Sequence, residues 1–338
     1  MATQRNVRVV ITAQGSSGVL KLVEDDLPAP GPGQVRVKNL ASGVAYADVL
    51  MRYGLYPKIP QFPFPPGYDI VGDIDALGVG VRGFSTGQRV AALTMIGGYA
   101  QYIIIPTAHL VPVRADLDPA EAVSLVLNYV TAYQMLHRLG RLQSGQSILI
   151  HGAAGGVGTA ALQLGKLAGL RMFGTASKPK HDLVRSLGAT PIDYRSESFA
   201  ERIGQLAPDG LDCVFDPIGG KNWLTSYRCL RRGGTLACYG ASSAVAAGKL
   251  SAGLGFALLE ILKLLPGGRR AYWYNVKYLR DQHPDWFRED LSKLFDLLAQ
   301  RQIEPVIAAR LPLREAAEAN RLLEQAQVSG KIVLLPQA

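Results

Sequence analysis

The string Gly152-Ala153-Ala154-Gly155-Gly156-Val157-Gly158 is the part of this 338-residue chain best suited to hold a phosphorylated ligand. An apolar run, Ser147 to His151, stands before it, and a helical pattern carried by Ala161, Leu162, Leu164 and Leu167 follows. A second apolar run, Leu170 to Gly174, completes a strand–turn–helix–strand unit. Glycines in such a turn permit a close backbone approach to a pyrophosphate, whose charge is met by free N–H groups at the helix start. The spacing departs from the usual fingerprint, and a turn that binds nothing is the plain alternative. Placement between a strand and a helix favours binding. Ala154, Gly155, Gly156 and Val157 are the residues expected to meet a dinucleotide.

Enzymes that prefer NAD usually carry an acid about 20 residues past the glycines, on the adenosine ribose. Here that region reads Thr175-Ala176-Ser177-Lys178-Pro179-Lys180, with no carboxylate before Asp182. Hydroxyl and ammonium groups suit a 2′-phosphate, which a carboxylate would repel. The expected cofactor is NADPH. Lys178 and Lys180 as ordinary surface lysines are the competing reading.

Around this unit the chain divides by texture. Its first hundred residues read as β-rich, with strand patterns at Val7–Ile11, Val35–Leu40, Asp69–Val81, Gln88–Leu93 and Tyr102–Ile105, punctuated by glycine and proline. Ala120–Leu139 reads as helical, and strand and helix patterns then alternate to about Tyr274, which implies a parallel sheet covered on both faces. Its later strands are expected at Cys213–Asp216, Thr235–Gly240 and Tyr272–Val276. Tyr239 and Tyr274 stand near strand ends, where such sheets line a ligand crevice. A helix at Pro284–Gln300, a strand near Val306, a helix at Leu313–Ala326 and a strand at Lys331–Leu335 finish the chain.

Bulk properties narrow the function classes. A hydrophobic content of 48% against 19% charged residues is that of a globular protein. Three cysteines, Cys213, Cys229 and Cys238, form no CxxC pair, so neither a disulfide framework nor a structural zinc site is expected. The cysteine usage makes a reducing, cytoplasmic setting the expectation, and the N-terminal residues show no apolar stretch like that of a secretory signal. The net charge of +9 contains no basic run of five residues, which argues against a nucleic-acid face and suits an anionic cofactor. Ala244–Leu265 is largely apolar, but Lys249, Glu260 and Lys263 interrupt it well short of the roughly 20 residues that span a bilayer. A helix covering a cleft or a subunit contact is expected there. Membrane contact through Phe256–Leu265, with Leu258 and Leu262 on its face, is the lesser reading.

Several strings resemble one superfamily. Gly43-Val44-Ala45-Tyr46-Ala47-Asp48, Gly54-Leu55-Tyr56-Pro57, Pro66-Gly67-Tyr68-Asp69-Ile70-Val71-Gly72 and Gly87-Gln88-Arg89-Val90 are similar to the catalytic half of medium-chain dehydrogenases/reductases. Thr131-Ala132-Tyr133, the glycine string and Ser329-Gly330-Lys331-Ile332-Val333-Leu334 continue the match in order. Within that superfamily the chain resembles the zinc-independent quinone oxidoreductases, above all the VAT-1-related branch. The resemblance implies an α/β protein: a GroES-like β-rich catalytic domain at 1–120 and 280–338, a Rossmann doubly wound domain at 121–279, a cleft between them, and a homodimer. It places Thr131 near the nicotinamide, and Ser177, Lys180 and Tyr194 at the 2′-phosphate. Zinc-dependent relatives carry catalytic ligands where this chain has Ala45, Tyr68 and, nearby, Leu127. None of these can hold zinc, which takes thiolate, imidazole or carboxylate.

The chemistry expected without a metal is hydride transfer to a quinone or an α,β-unsaturated carbonyl compound, acceptors already polarised by conjugation. The protein then supplies orientation and hydrogen bonds to a developing oxyanion. Tyr46 and Tyr56 are the first candidates to touch substrate or nicotinamide, with Tyr53 beside them; core or rim packing is the competing reading for each. A membrane-surface NADPH-binding interaction protein, as the VAT-1 resemblance allows, is the alternative function.

Overall fold

The glycine string lies at the carboxyl end of the first strand of a parallel sheet, as its flanking patterns require. The structure is a computed structural model and describes residues 5–338, side chains at 249, 251 and 252 excepted. The first four residues, read above for a leader, and the Lys249 side chain lie outside the described residues.

The chain forms two units, Met1–Val130 with Arg280–Ala338, and Thr131–Leu279. In the first, β1 (Arg5–Ile11) and β2 (Leu20–Asp26) pair antiparallel. β3 (Gln34–Gly43), β4 (Asp69–Leu77), β5 (Arg89–Leu93), β6 (Tyr102–Pro106) and β7 (Val111–Pro112) follow. The second unit holds β8 (Ser147–His151), β9 (Arg171–Ala176), β10 (Ala189–Asp193), β11 (Leu211–Asp216), β12 (Leu230–Cys238) and β13 (Arg270–Trp273). β14 (Ile307–Pro312) and β15 (Lys331–Leu335) return to the first unit, whose larger sheet runs β14-β15-β3-β4-β5-β7 with β6 also on β3.

The two sheets show why their sequences read differently. In β3, Val35 and Val37 are fully buried while Arg36 and Lys38 point outward, the alternation of a sheet with one wet face. In β8, Ile148, Leu149 and Ile150 are all at 0% exposure, because helices cover both faces of a parallel sheet. That second sheet has the order β10-β9-β8-β11-β12-β13, the doubly wound Rossmann arrangement, and its order reverses between β8 and β11. One side is packed by Leu149, Phe173, Val214, Trp223, Leu236 and Leu259, each worth roughly 1.5–3 kcal/mol on full burial.

Beyond strands such as β2 and β10, which the sequence reading did not place, and the earlier start of β12, three segments differ from the sequence expectation. The last strand of the parallel sheet stops at Trp273, where the Tyr274 N–H donates to the Cys238 carbonyl at 2.7 Å; Asn275 then caps a helix through Oδ1, accepting from Tyr278 N. Residues 120–139 are helical, but with two wide π turns at Leu125–Tyr129 and Gln134–Leu139. The helix Ala244–Leu264 breaks at Gly248, whose φ of 81° lies outside helical space, and its faces are rotated from those read above. Leu259 and Leu262 are buried and Leu258 packs on the core, while Leu250, Leu254, Ile261 and Leu264 face outward. Among the described residues no helix is long and apolar enough to cross a membrane.

Candidate functional site

At the end of β8 the chain turns at Gly152, with φ +64°, and enters the helix Gly156–Leu167. A Cβ on Gly158 would stand 2.3 Å from the Gly152 carbonyl, so only glycine lets the helix start close against the turn. Gly155 caps the helix with no side chain, and its first turn has no acid, so its N–H groups and the positive end of its dipole suit an anion. Gly155, Gly156 and Val157 are partly exposed here; Ala154 is buried beneath them.

A buried polar chain fixes this turn from below. Gly152 N donates to Thr175 Oγ1 at 3.3 Å, which lies 3.1 Å from His151 Nδ1. His151 Nε2 lies 3.0 Å from Ser226 Oγ, which donates to Asp216 Oδ2 at 2.7 Å. Asp216 also accepts from Ile218 N and Asn222 Nδ2, at the end of β11. The network thus ties together the two strands that flank the reversal of sheet order. Burial pushes the His151 imidazole down, with Asp216 opposing, so the ring is held neutral. The sequence reading missed this network because its members lie up to 75 residues apart.

At the carboxyl ends of β9 and β10, Ser177 is buried at the place where an NAD enzyme carries its acid. Lys180 follows one turn later, its N–H on the Ser177 carbonyl. Burial, and then the neighbouring charge of Arg195, lower the Lys180 ammonium. Arg195 was not among the expected residues; its guanidinium lies 5.8 Å from the ring centroid of Tyr194, a residue 52% exposed. Two neighbouring cations are of the kind that suits a doubly charged anion. Asp193, two residues before Arg195, accepts from Arg195 N and Ser196 Oγ.

The remaining expected cofactor residues belong to the same unit. Thr131 is buried at its start, and Tyr239 is half-buried past the end of β12, its hydroxyl pushed up by burial and by Asp216. Tyr274 is buried, and its hydroxyl donates to Gln134 Oε1 at 2.8 Å.

In the first unit the expected tyrosines fall into two groups. Tyr46 opens the short helix Tyr46–Arg52, where Asp48 reaches back to accept from Ala45 N at 2.9 Å. Burial, then Glu324, raise the Tyr46 hydroxyl. Tyr53 closes the helix, and its hydroxyl donates to Glu324 Oε1 at 2.6 Å, beside the fully buried Arg52 on Glu324 Oε2. Tyr56 stands apart from them, with its hydroxyl 2.5 Å from that of Tyr68.

Charged groups frame these tyrosines. Asp48 is fully buried and accepts from Gly67 N and Tyr99 Oη as well as Ala45 N; burial raises its carboxyl to about 6. Asp69 pairs with Lys331 at 3.1 Å, both sealed from solvent. Burial pushes the Asp69 carboxyl up, and Lys331 with the Leu127 and Gly43 amides pulls against it. A Cβ at Gly43 would lie 2.3 Å from both Asp69 Oδ1 and Lys331 Cε, so this glycine makes room for the pair. Among the described residues no three His, Cys, Asp or Glu side chains are grouped to hold a metal ion.

Residues 31–115 match the family model for the alcohol dehydrogenase GroES-like domain, and 187–334 that for zinc-binding dehydrogenases. The chain is 33% identical to the synaptic vesicle membrane protein VAT-1 homolog of Rattus norvegicus, over 97% of this chain and 83% of the relative. It is equally 33% identical to a quinone oxidoreductase of Pseudomonas aeruginosa, over 97% and 99%. Among solved structures, Escherichia coli quinone oxidoreductase complexed with NADPH superposes with a TM-score of 0.88 at 27% identity, covering 98% of this chain and all of that one.

Proposed function

The chain belongs to the zinc-independent, quinone-oxidoreductase-like branch of the medium-chain dehydrogenases/reductases, and on that premise we propose that it is an NADPH-dependent oxidoreductase whose acceptor is a quinone or an α,β-unsaturated carbonyl compound. The observation that carries the cofactor is the cationic corner at the ends of β9 and β10, where Ser177, Lys180 and Arg195 replace the acid of an NAD site. The groups present fit NADPH. The uncapped helix start at Gly155–Val157 would hold the pyrophosphate; Ser177, Lys180, Tyr194 and Arg195 the 2′-phosphate; and Thr131, Tyr239 and Tyr274 the nicotinamide half. NADPH bound there supplies the hydride, and the chain supplies orientation and polar contacts.

The first unit supports a conjugated acceptor. Tyr56 and Tyr46 are assigned to hydrogen-bond the acceptor's oxygen as it gains charge, with Tyr53 bracing them through Glu324. Ala45 and Tyr68, at positions where zinc-dependent relatives carry ligands, offer no metal donor of the usual kind. A cytoplasmic homodimer completes the proposal, favoured by the open outer edge of β13 and the apolar face of the helix beside it. The test mixes protein, NADPH and a panel of quinones and enones and follows loss of nicotinamide absorbance. Turnover of at least one acceptor is expected; tight NADPH binding with no turnover across the panel overturns the reading.

A second reading has its own observation. Leu250 at 80%, Leu254 at 65% and Leu264 at 84% exposure form an apolar face on Ala244–Leu264 that suits a membrane surface. Leu254→Glu with Leu264→Glu tests it without touching the core, which Leu262→Glu would damage. Equal co-sedimentation of both proteins with liposomes counts against membrane contact.

A further inference from the structure

Three N–H groups of the glycine turn are spent inward, and Thr175 takes two of them. Its hydroxyl accepts from Gly152 N at 3.3 Å and its carbonyl from Ala153 N at 3.0 Å, while Gly155 N closes on the Gly152 carbonyl at 2.9 Å. Gly156, Val157 and Gly158 open the helix, so their N–H groups have no acceptor within it and are the ones left for a phosphate. The aim of those groups depends on how firmly Thr175 is held.

Thr175 is 3% exposed and stands beside His151, its partner in the parallel register of β8 and β9. The hydrogen-bond directions around that histidine are settled at its far end. Ser226 Oγ gives its one proton to Asp216 Oδ2, so it accepts from His151 Nε2, which must carry the ring proton. The neutral ring then takes the Thr175 O–H on Nδ1, and the Thr175 oxygen keeps a lone pair for Gly152 N. A proton on Nδ1 would instead leave the buried Thr175 hydroxyl proton with no acceptor among the described residues. The chain thus runs one way, from Gly152 through Thr175, His151 and Ser226 to Asp216. Each of its three middle members both donates and accepts, which strengthens the bonds on either side.

The chain ends in a second turn. Asp216 Oδ1 accepts from Ile218 N at 2.8 Å and Gly219 N at 3.4 Å, just past β11. A Cβ on Gly152 would lie 3.9 Å from Pro217 Cγ, so the two turns are neighbours where the sheet order reverses.

We propose that His151, held as its Nε2–H tautomer, is a positioning residue for the dinucleotide: through Thr175 it fixes the phosphate-binding turn to the turn after β11, so that buried side chains behind the turn set the affinity for pyrophosphate. This deepens the NADPH reading above and rests on it.

The test uses full-length protein and two ligands, NADPH and adenosine 2′-monophosphate, which has no pyrophosphate. Thr175→Val should weaken NADPH about tenfold, the scale of one lost hydrogen bond, and leave adenosine 2′-monophosphate within about twofold. Thr175→Ser keeps the hydroxyl and should bind both ligands as the wild type does. Ser226→Ala breaks the chain at its far end and should also weaken NADPH; combined with Thr175→Val it should add less than about twofold, because both act through one chain. In 15N-labelled protein free of nucleotide, His151 should show a proton on Nε2 and none on Nδ1, and Ser226→Ala should shift the Gly152 amide. A proton on Nδ1, an unmoved Gly152 amide, equal losses for the two ligands in Thr175→Val, no rescue in Thr175→Ser, or losses that multiply in the double variant overturns the positioning role. A wild type that binds neither ligand instead overturns the cofactor reading beneath it.

Discussion

Beneath the glycine turn, Asp216, Ser226, His151 and Thr175 are joined by hydrogen bonds, with Asp216 the single acidic side chain among them. Around the tyrosines, the buried groups are Asp48, Asp69, Lys331 and Arg52, with Glu324 at their margin. The nucleotide unit has to present backbone N–H groups, and a network with a single acidic side chain that fixes one turn is enough for that. The GroES-like unit has to aim side chains from several segments, and it does so with buried ionisable groups, of which Asp69–Lys331 and Arg52–Glu324 must remain paired. The second arrangement should therefore be the more fragile, toward mutation and toward pH.

The harshest way to press that difference is Lys331→Met, which leaves Asp69 charged at 0% exposure without its partner. It should cost about 3–5 kcal/mol of unfolding free energy in urea at neutral pH, and less in acid, where Asp69 takes up a proton. A loss below about 1 kcal/mol would remove the contrast between the units.

Asp48 gives the next largest effect. Its carboxyl sits at about 6 in the folded protein against an ordinary 3.8. Between those values the folded state keeps a proton that the unfolded chain has released, so stability from this group falls as pH rises through that window and stays low above it. The shift corresponds to about 3 kcal/mol. The unfolding free energy of wild type relative to Asp48→Asn should therefore decline from about pH 4 to about pH 6; parallel curves would contradict it.

In the nucleotide unit, Gly158→Ala drives a Cβ into the Gly152 carbonyl and should cost about 2 kcal/mol, shared between stability and NADPH affinity. Calorimetric titration with NADPH beside a melting curve separates the two shares, and an affinity equal to wild type would show that the turn tolerates the methyl. The smallest effect is the most selective. Lys180→Ala or Arg195→Ala should weaken NADPH about tenfold each, roughly 1.4 kcal/mol, and leave NADH within twofold. Equal losses for both dinucleotides would move the 2′-phosphate elsewhere.

How much of this the sequence disclosed follows the same division. The glycine string, its flanking strand and helix, and the missing acid at Ser177 are local features, so neighbouring residues were enough to read them. Arg195 escaped because only the parallel pairing of β9 with β10 brings it to Lys180, and its signal was merely to follow Tyr194. Asp69 and Lys331 are 262 positions apart, and nothing in either string names the other. The outward face of Ala244–Leu264 was misjudged because contacts among Trp223, Phe256 and Trp273, from three separate segments, decide which side turns inward.

The central claim is hydride transfer from NADPH to a conjugated acceptor, and isotope tracing tests it most directly. With NADPH deuterated at the transferable C4 position and an enone from the reactive panel, mass and NMR analysis of the product should find the deuterium on the β-carbon. Deuterium retained in the nicotinamide, or a β-hydrogen drawn from solvent, would contradict the account.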